Sequence, residues 1–185
     1  MVKRIFLVHG WEGGPERDWM PWLKNELEER GFDTIVPTLP DTENPKMGPW
    51  LEFLINSVEN PDKDCYFVGH SLGCITILRY LETLKEGQEI GGTVLVAGFS
   101  DNLGYKEIDS FFEKPIEWDK IRSRCKRFIA IHSDDDPEVP LKHSGIFKEK
   151  LGAEVSIQHK MKHFDQGSGI TELPVALESV LKLSK

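Results

Sequence analysis

Apolar residues follow two patterns along this chain: short continuous runs, and stretches where they recur every three or four positions. The runs at 5–8, 34–36, 66–68, 93–97 and 127–131, and the more polar stretch at 154–158, have the length and composition of strands. Between them, Trp19, Trp22, Leu23 and Leu27 predict a helix starting near Asp18, a good N-cap, and stopping at Gly31. Trp50, Leu51, Leu54 and Val58 mark a second helix. Leu72, Ile75, Leu78, Leu81 and Leu84 mark a third, buried along one side. Two more are expected over 141–151 and 171–183. The stretch 37–49 holds Pro37, Pro40, Pro45 and Pro49 and reads as a surface loop, while 100–123 is less regular, with Tyr105, Phe111, Phe112 and Trp118. Strands alternating with helices predict an α/β fold: a mostly parallel sheet of about six strands, joined by right-handed crossovers and covered on both faces. Chemistry in such a sheet gathers at the carboxyl ends of the strands.

Composition narrows the class. A chain of 185 residues fits one domain, 1–185, with a proper core. The net charge of -8 disfavours nucleic-acid backbone and anionic membrane as partners. No apolar run is long enough to span a bilayer, and the N-terminal run leads directly into His9-Gly10, so it reads as a first strand rather than a signal peptide. Cys65, Cys74 and Cys125 are odd in number and form no C-x-x-C pair. They fit reduced, buried thiols of a cytoplasmic protein, with neither a disulfide framework nor a metal site. No cofactor is expected. The Gly13-Gly14 loop lacks both the dinucleotide fingerprint and the Walker lysine.

The strand at 66–68 breaks into Gly69-His70-Ser71-Leu72-Gly73 and then into the third helix. This is the G-x-S-x-G pattern of a nucleophile elbow, a strained strand-to-helix turn with room only for small residues on either side of the serine. A serine hydroxyl needs a base, and the base needs an orienting carboxylate; on this scaffold they follow the serine in the order acid, then histidine. His163 lies in the loop after the sixth strand and is the expected base, with His159 the alternative. His132 ends the fifth strand, and His143 falls on a helix and reads as solvated. Asp134, Asp135 and Asp136 all follow the fifth strand. One is expected to turn inward while the others face solvent; Asp136, held extended by Pro137, is favoured, with Asp135 the runner-up. The oxyanion donors are expected from the backbone N–H groups of Leu72, at a helix N-terminus, and Trp11, after the first strand.

Several blocks in order resemble a known family. They are Gly69-His70-Ser71-Leu72-Gly73, Asp135-Asp136-Pro137 with Val139-Pro140, Lys162-His163-Phe164, the Trp19-Met20-Pro21-Trp22-Leu23 run, Leu39-Pro40-Asp41 with Pro45 and Trp50, and Phe112 through Pro115, Trp118 and Ile121. Together they look like the small serine hydrolases related to retinoblastoma-binding protein nine. The resemblance implies a compact α/β-hydrolase fold with little or no lid and a triad of Ser71, Asp136 and His163. It also selects Asp136 over Asp135. Lys162 departs from the glycine common before the histidine in related hydrolases, which either loosens that loop or brings a positive charge near the site. No Leu-x-Cys-x-Glu peptide occurs, so pocket-protein binding does not carry over. The expected activity is hydrolysis of a small-molecule carboxylic ester, or of a thioester or amide, through an acyl-enzyme. The alternative is a non-catalytic interaction module on the same scaffold, using the aromatic residues of 100–123.

Overall fold

The computed structural model describes residues 2–185. The predicted strands become β1 (Arg4–Val8), β2 (Asp33–Ile35), β3 (Cys65–His70), β4 (Gly92–Val96), β5 (Phe128–Ser133) and β6 (Glu154–Gln158). They form one sheet in the order β2-β1-β3-β4-β5-β6, with every neighbouring pair parallel. The connections carry α1 (Met20–Glu28), α2 (Met47–Ser57), α3 (Leu72–Thr83), α4 (Trp118–Arg124), α5 (Lys142–Leu151) and α6 (Pro174–Leu183).

Each central strand is apolar on both faces because both are covered. Phe6, Phe67, Leu95 and Ala130 point to the side packed by α2, α3, α4 and α5. Ile5, Leu7, Tyr66, Val68, Val94 and Ile129 point to the side packed by α1 and α6. From β1 the chain moves outward to β2, then crosses back to β3 on the other side of β1. The connections therefore diverge between β1 and β3, and a crevice opens at their carboxyl ends. Val8 pairs with Gly69 at that edge, so the loop after β1 and the turn after β3 face each other.

Several local expectations change. Helix α2 starts at Met47, inside the expected loop, and α4 forms within the stretch expected to be irregular. Asp18 does not cap α1; Trp19 takes that position. Asp18 instead adopts a left-handed φ of +55° and its carboxylate accepts the Gln166 N–H at 2.8 Å, a long-range partner that outcompetes a local cap. The last helix starts at Pro174, which suits the first turn of a helix, rather than near 171. Strands β3 and β5 run on to His70 and Ser133, beyond their purely apolar cores. His143 is fully buried rather than solvated: it lies on the inner face of α5, where Nδ1 accepts the Ser100 N–H at 3.3 Å.

Residues 100–117 form no separate lid. A 3₁₀ turn, Lys106–Phe111, leads towards α4. The segment is fastened from below by the buried Arg79 guanidinium, which donates to the carbonyls of Phe111, Lys114 and Pro115 and pairs with Glu82 at 2.9 Å. Cys65, Cys74 and Cys125 are free and buried. Among the described residues no helix is long and apolar enough to cross a membrane.

Candidate active site

Ser71 sits between the end of β3 and the start of α3 with φ +53° and ψ -120°. A non-glycine residue held in such a conformation stores strain, and the surroundings must over-determine it. They do so through tight backbone contact. A Cβ on Gly73 would collide with the Val8 carbonyl oxygen, and one on Gly69 would lie 2.9 Å from Cys74 Cα. Across the crevice, a Cβ on Gly10 would come within 3.0 Å of Ser71 Cβ. The Ser71 N–H donates to Val96 at 2.9 Å, tying the turn to β4.

The structure brings Ser71, His163 and Asp136 together. His163 Nε2 lies 2.9 Å from Ser71 Oγ, and Nδ1 lies 2.9 and 3.1 Å from the two oxygens of Asp136. Ionised Asp136 can only accept, so Nδ1 carries the proton and Nε2 is left to accept from the serine hydroxyl. The Asp136 side chain is 2 % exposed. Burial pushes its pKa up, but the hydrogen bond and charge of His163, with the N–H groups of Val139 and Glu138, outweigh that and leave it below the ordinary carboxylate value.

The other candidates separate. His159 Nδ1 lies 2.6 Å from Asp134, exposed and apart from Ser71. His132 ends inside the core, with Nε2 donating to Gly98 at 2.9 Å. Asp134 and Asp135 are not simply solvated, as the sequence suggested. Asp134 accepts the Lys160 N–H at 3.0 Å, and Asp135 accepts that of Lys162 at 2.9 Å. The three carboxylates therefore face different donors rather than one ion, and no cluster able to hold a metal occurs among the described residues.

Leu72 occupies the first position of α3, where an N–H has no intrahelical acceptor and the helix dipole favours an anion. Trp11 follows Gly10 in a loop held from several directions. Glu12 N–H donates to Thr42 at 2.9 Å, Trp11 Nε1 donates to Glu43 at 3.0 Å, and His9 Nε2 accepts the Leu39 N–H at 3.3 Å. Trp11 and Leu72 both line a cleft of about 360 Å³ that opens onto Ser71 and His163. Leu103, Tyr105 and Ile108 form the wall contributed by the 100–117 segment; Phe99 and Val139 add further apolar surface. At the rim the Tyr105 hydroxyl donates to Glu138 at 2.9 Å.

The sequence reading assigned no role to His70 or Trp19. His70 Nε2 donates to the His163 carbonyl at 2.8 Å, and Trp19 Nε1 donates to the next carbonyl, Phe164, at 2.9 Å. Burial, then the neighbouring His163, lowers the His70 pKa to about 4, so it stands neutral between the Trp19 and His163 rings. A polar ring inside an otherwise apolar strand end was the available signal.

Comparison with known proteins agrees with this architecture. Residues 5–182 match the serine hydrolase family. YdeN of Bacillus subtilis (strain 168) is 32 % identical over 180 residues, covering 96 % of this chain and 94 % of that protein. The structure of the B. subtilis ydeN gene product superposes with a TM-score of 0.94, covering 98 % of both chains at 30 % identity. Serine hydrolase RBBP9 of Rattus norvegicus is 28 % identical over 177 residues, or 94 % of this chain and 88 % of its own. With its elbow, its six-stranded parallel sheet and a match spanning nearly its whole length, the chain belongs to the serine hydrolase family.

Proposed function

We infer that this single α/β unit hydrolyses small carboxylic esters, with thioesters or amides as further substrates, through a covalent acyl-enzyme on Ser71. The observation that carries this reading is the continuous hydrogen-bond chain Ser71–His163–Asp136 at the mouth of the cleft. Ser71 Oγ attacks the carbonyl carbon as its proton passes to His163 Nε2. Asp136 holds the Nδ1–H tautomer and stabilises the imidazolium. The carbonyl oxygen, now anionic, takes hydrogen bonds from the N–H groups of Leu72 and Trp11. As the tetrahedral intermediate collapses, the C–O bond to the leaving group breaks and His163 returns the proton to the departing alcohol. Water then attacks the acyl-enzyme by the same route, releasing the acid and restoring Ser71.

The cleft is small and lined by both apolar side chains and the acidic Glu12, Glu138 and Asp165, which favours short acyl groups. Hydrolysis of a chain-length series of p-nitrophenyl esters tests the reading. Short chains should turn over, and Ser71→Ala and His163→Ala should each lose at least about a thousandfold in kcat. Retention of wild-type kcat by either variant would exclude this mechanism.

A further inference from the structure

The loop carrying His163 is held in a conformation its own residues resist. Lys160, Lys162 and Phe164 take φ values of +58°, +50° and +55°. A side chain in this left-handed region costs about 1–2 kcal/mol. Backbone outside strands and helices still needs partners for its N–H groups: Phe164 finds the Met161 carbonyl within the loop at 3.0 Å, whereas residues 160–162 need acceptors from elsewhere.

The end of β5 supplies them in sequence. Asp134 Oδ1 accepts the Lys160 N–H at 3.0 Å. Ser133 Oγ accepts the Met161 N–H at 3.0 Å and donates its own proton to Asp135 Oδ1 at 2.8 Å. Asp135 Oδ1 accepts the Lys162 N–H at 2.9 Å, while Oδ2 pairs with Lys162 Nζ at 2.9 Å. Asp136 then takes the His163 imidazole. Residues 133–136 thus clasp residues 160–163, and only the last contact joins groups used in the proposed chemistry. The N–H fixed by Asp135 belongs to Lys162, the residue just before His163.

We propose that Asp135 is a positioning residue for His163, holding the left-handed Lys162 backbone so that imidazole Nε2 meets Ser71 Oγ in line. The assignment rests on His163 being the base. Lys162 is the reason an acceptor is needed here: glycine would adopt this φ without strain, whereas lysine is kept in it by Asp135. Hydrogen bonds from the Lys162 side chain and backbone hold the Asp135 carboxyl down to about 2, so it is ionised at any working pH. Asn at this position keeps an oxygen to accept the Lys162 N–H but gives up the charge and the Oδ2 partner of Lys162 Nζ.

Kinetics of Asp135→Ala, Asp135→Asn, Asp135→Ala/Lys162→Gly and His163→Ala on a p-nitrophenyl ester test the proposal. Asp135→Ala should lower kcat about tenfold with KM unchanged, since a small misalignment of the base acts on chemistry rather than binding. Asp135→Asn should stay within about twofold of wild type, and the double variant should recover at least half of the lost activity, on a logarithmic scale. Wild-type kcat in Asp135→Ala, equal losses in the Asn and Ala variants, or no recovery with Lys162→Gly would each overturn the proposal. If Asp135→Ala does not fold, the double variant decides: kcat near that of wild type supports the proposal, and a tenfold loss overturns it. A fully active His163→Ala would instead defeat the assignment of the base, whatever the Asp135 variants do.

Discussion

His70 Nε2 donates to the carbonyl oxygen of His163 at 2.8 Å, so the residue before the serine holds the backbone of the residue that faces it. The two sides of the site are therefore joined twice, once through Ser71 Oγ and once through this buried bond. His70→Phe keeps the ring packing against Trp19 but leaves the His163 carbonyl without its donor. A stability loss of about 1–3 kcal/mol is expected from chemical denaturation, together with slower ester turnover.

The same ring gives stability a pH dependence whose sign follows from its lowered pKa. Below pH 6.5 the unfolded chain protonates His70, while the folded protein refuses that proton until about pH 4. The His70 contribution is complete above 6.5 and is lost as the pH falls towards 4. His9, His132 and His143, also lowered by burial, act in the same direction. Asp136, held below its ordinary 3.8, extends the loss to lower pH still. Denaturant midpoints should fall steadily from pH 7 to pH 4, and His70→Phe should flatten part of that slope. A slope unchanged in the variant would assign it to the other histidines.

Asp136→Asn tests the orientation of the base. The amide fills the same space but offers an N–H to His163 Nδ1, which favours the wrong tautomer. A loss of about ten-thousand-fold in kcat is expected with little change in fold, checked by kinetics alongside circular dichroism.

Gly73→Ala tests the elbow itself. The added methyl would be driven into the Val8 carbonyl, and neither the strand nor the helix start can move freely. Loss of soluble folded protein, or a melting temperature many degrees lower, is the expected outcome. The exposed Gly87→Ala is a poor control because φ there is +83°; Gly48→Ala, with open space around it, should fold normally.

The cysteine thiols should be silent in the native protein. Burial pushes Cys65 and Cys125 up to about 11, and Cys74 higher still. A thiol reagent should titrate none of them until denaturant is added, and then all three. Rapid native labelling at any of them would show that the core opens.

Much of this was legible in the sequence because it is written locally. The elbow needs glycines at fixed offsets from Ser71, and the strands announce themselves as apolar runs because both faces of the sheet are covered. What was missed depends on partners distant in the chain. Asp18 resembles a helix cap, yet it serves Gln166. His143 lies on a helix with many polar positions, so its pattern does not reveal that this face turns inward beneath Ser100. The roles of Asp134 and Asp135 exist only because the 160–163 backbone folds against them. Adjacent carboxylates alone say nothing of that.

The central claim is that Ser71 is the nucleophile, and a covalent label tests it most directly. After reaction with a fluorophosphonate, the intact mass should increase by one adduct, and peptide mapping should place it on Ser71. Ser71→Ala should remain unlabelled. An adduct on another residue, or equal labelling of the variant, would contradict the account.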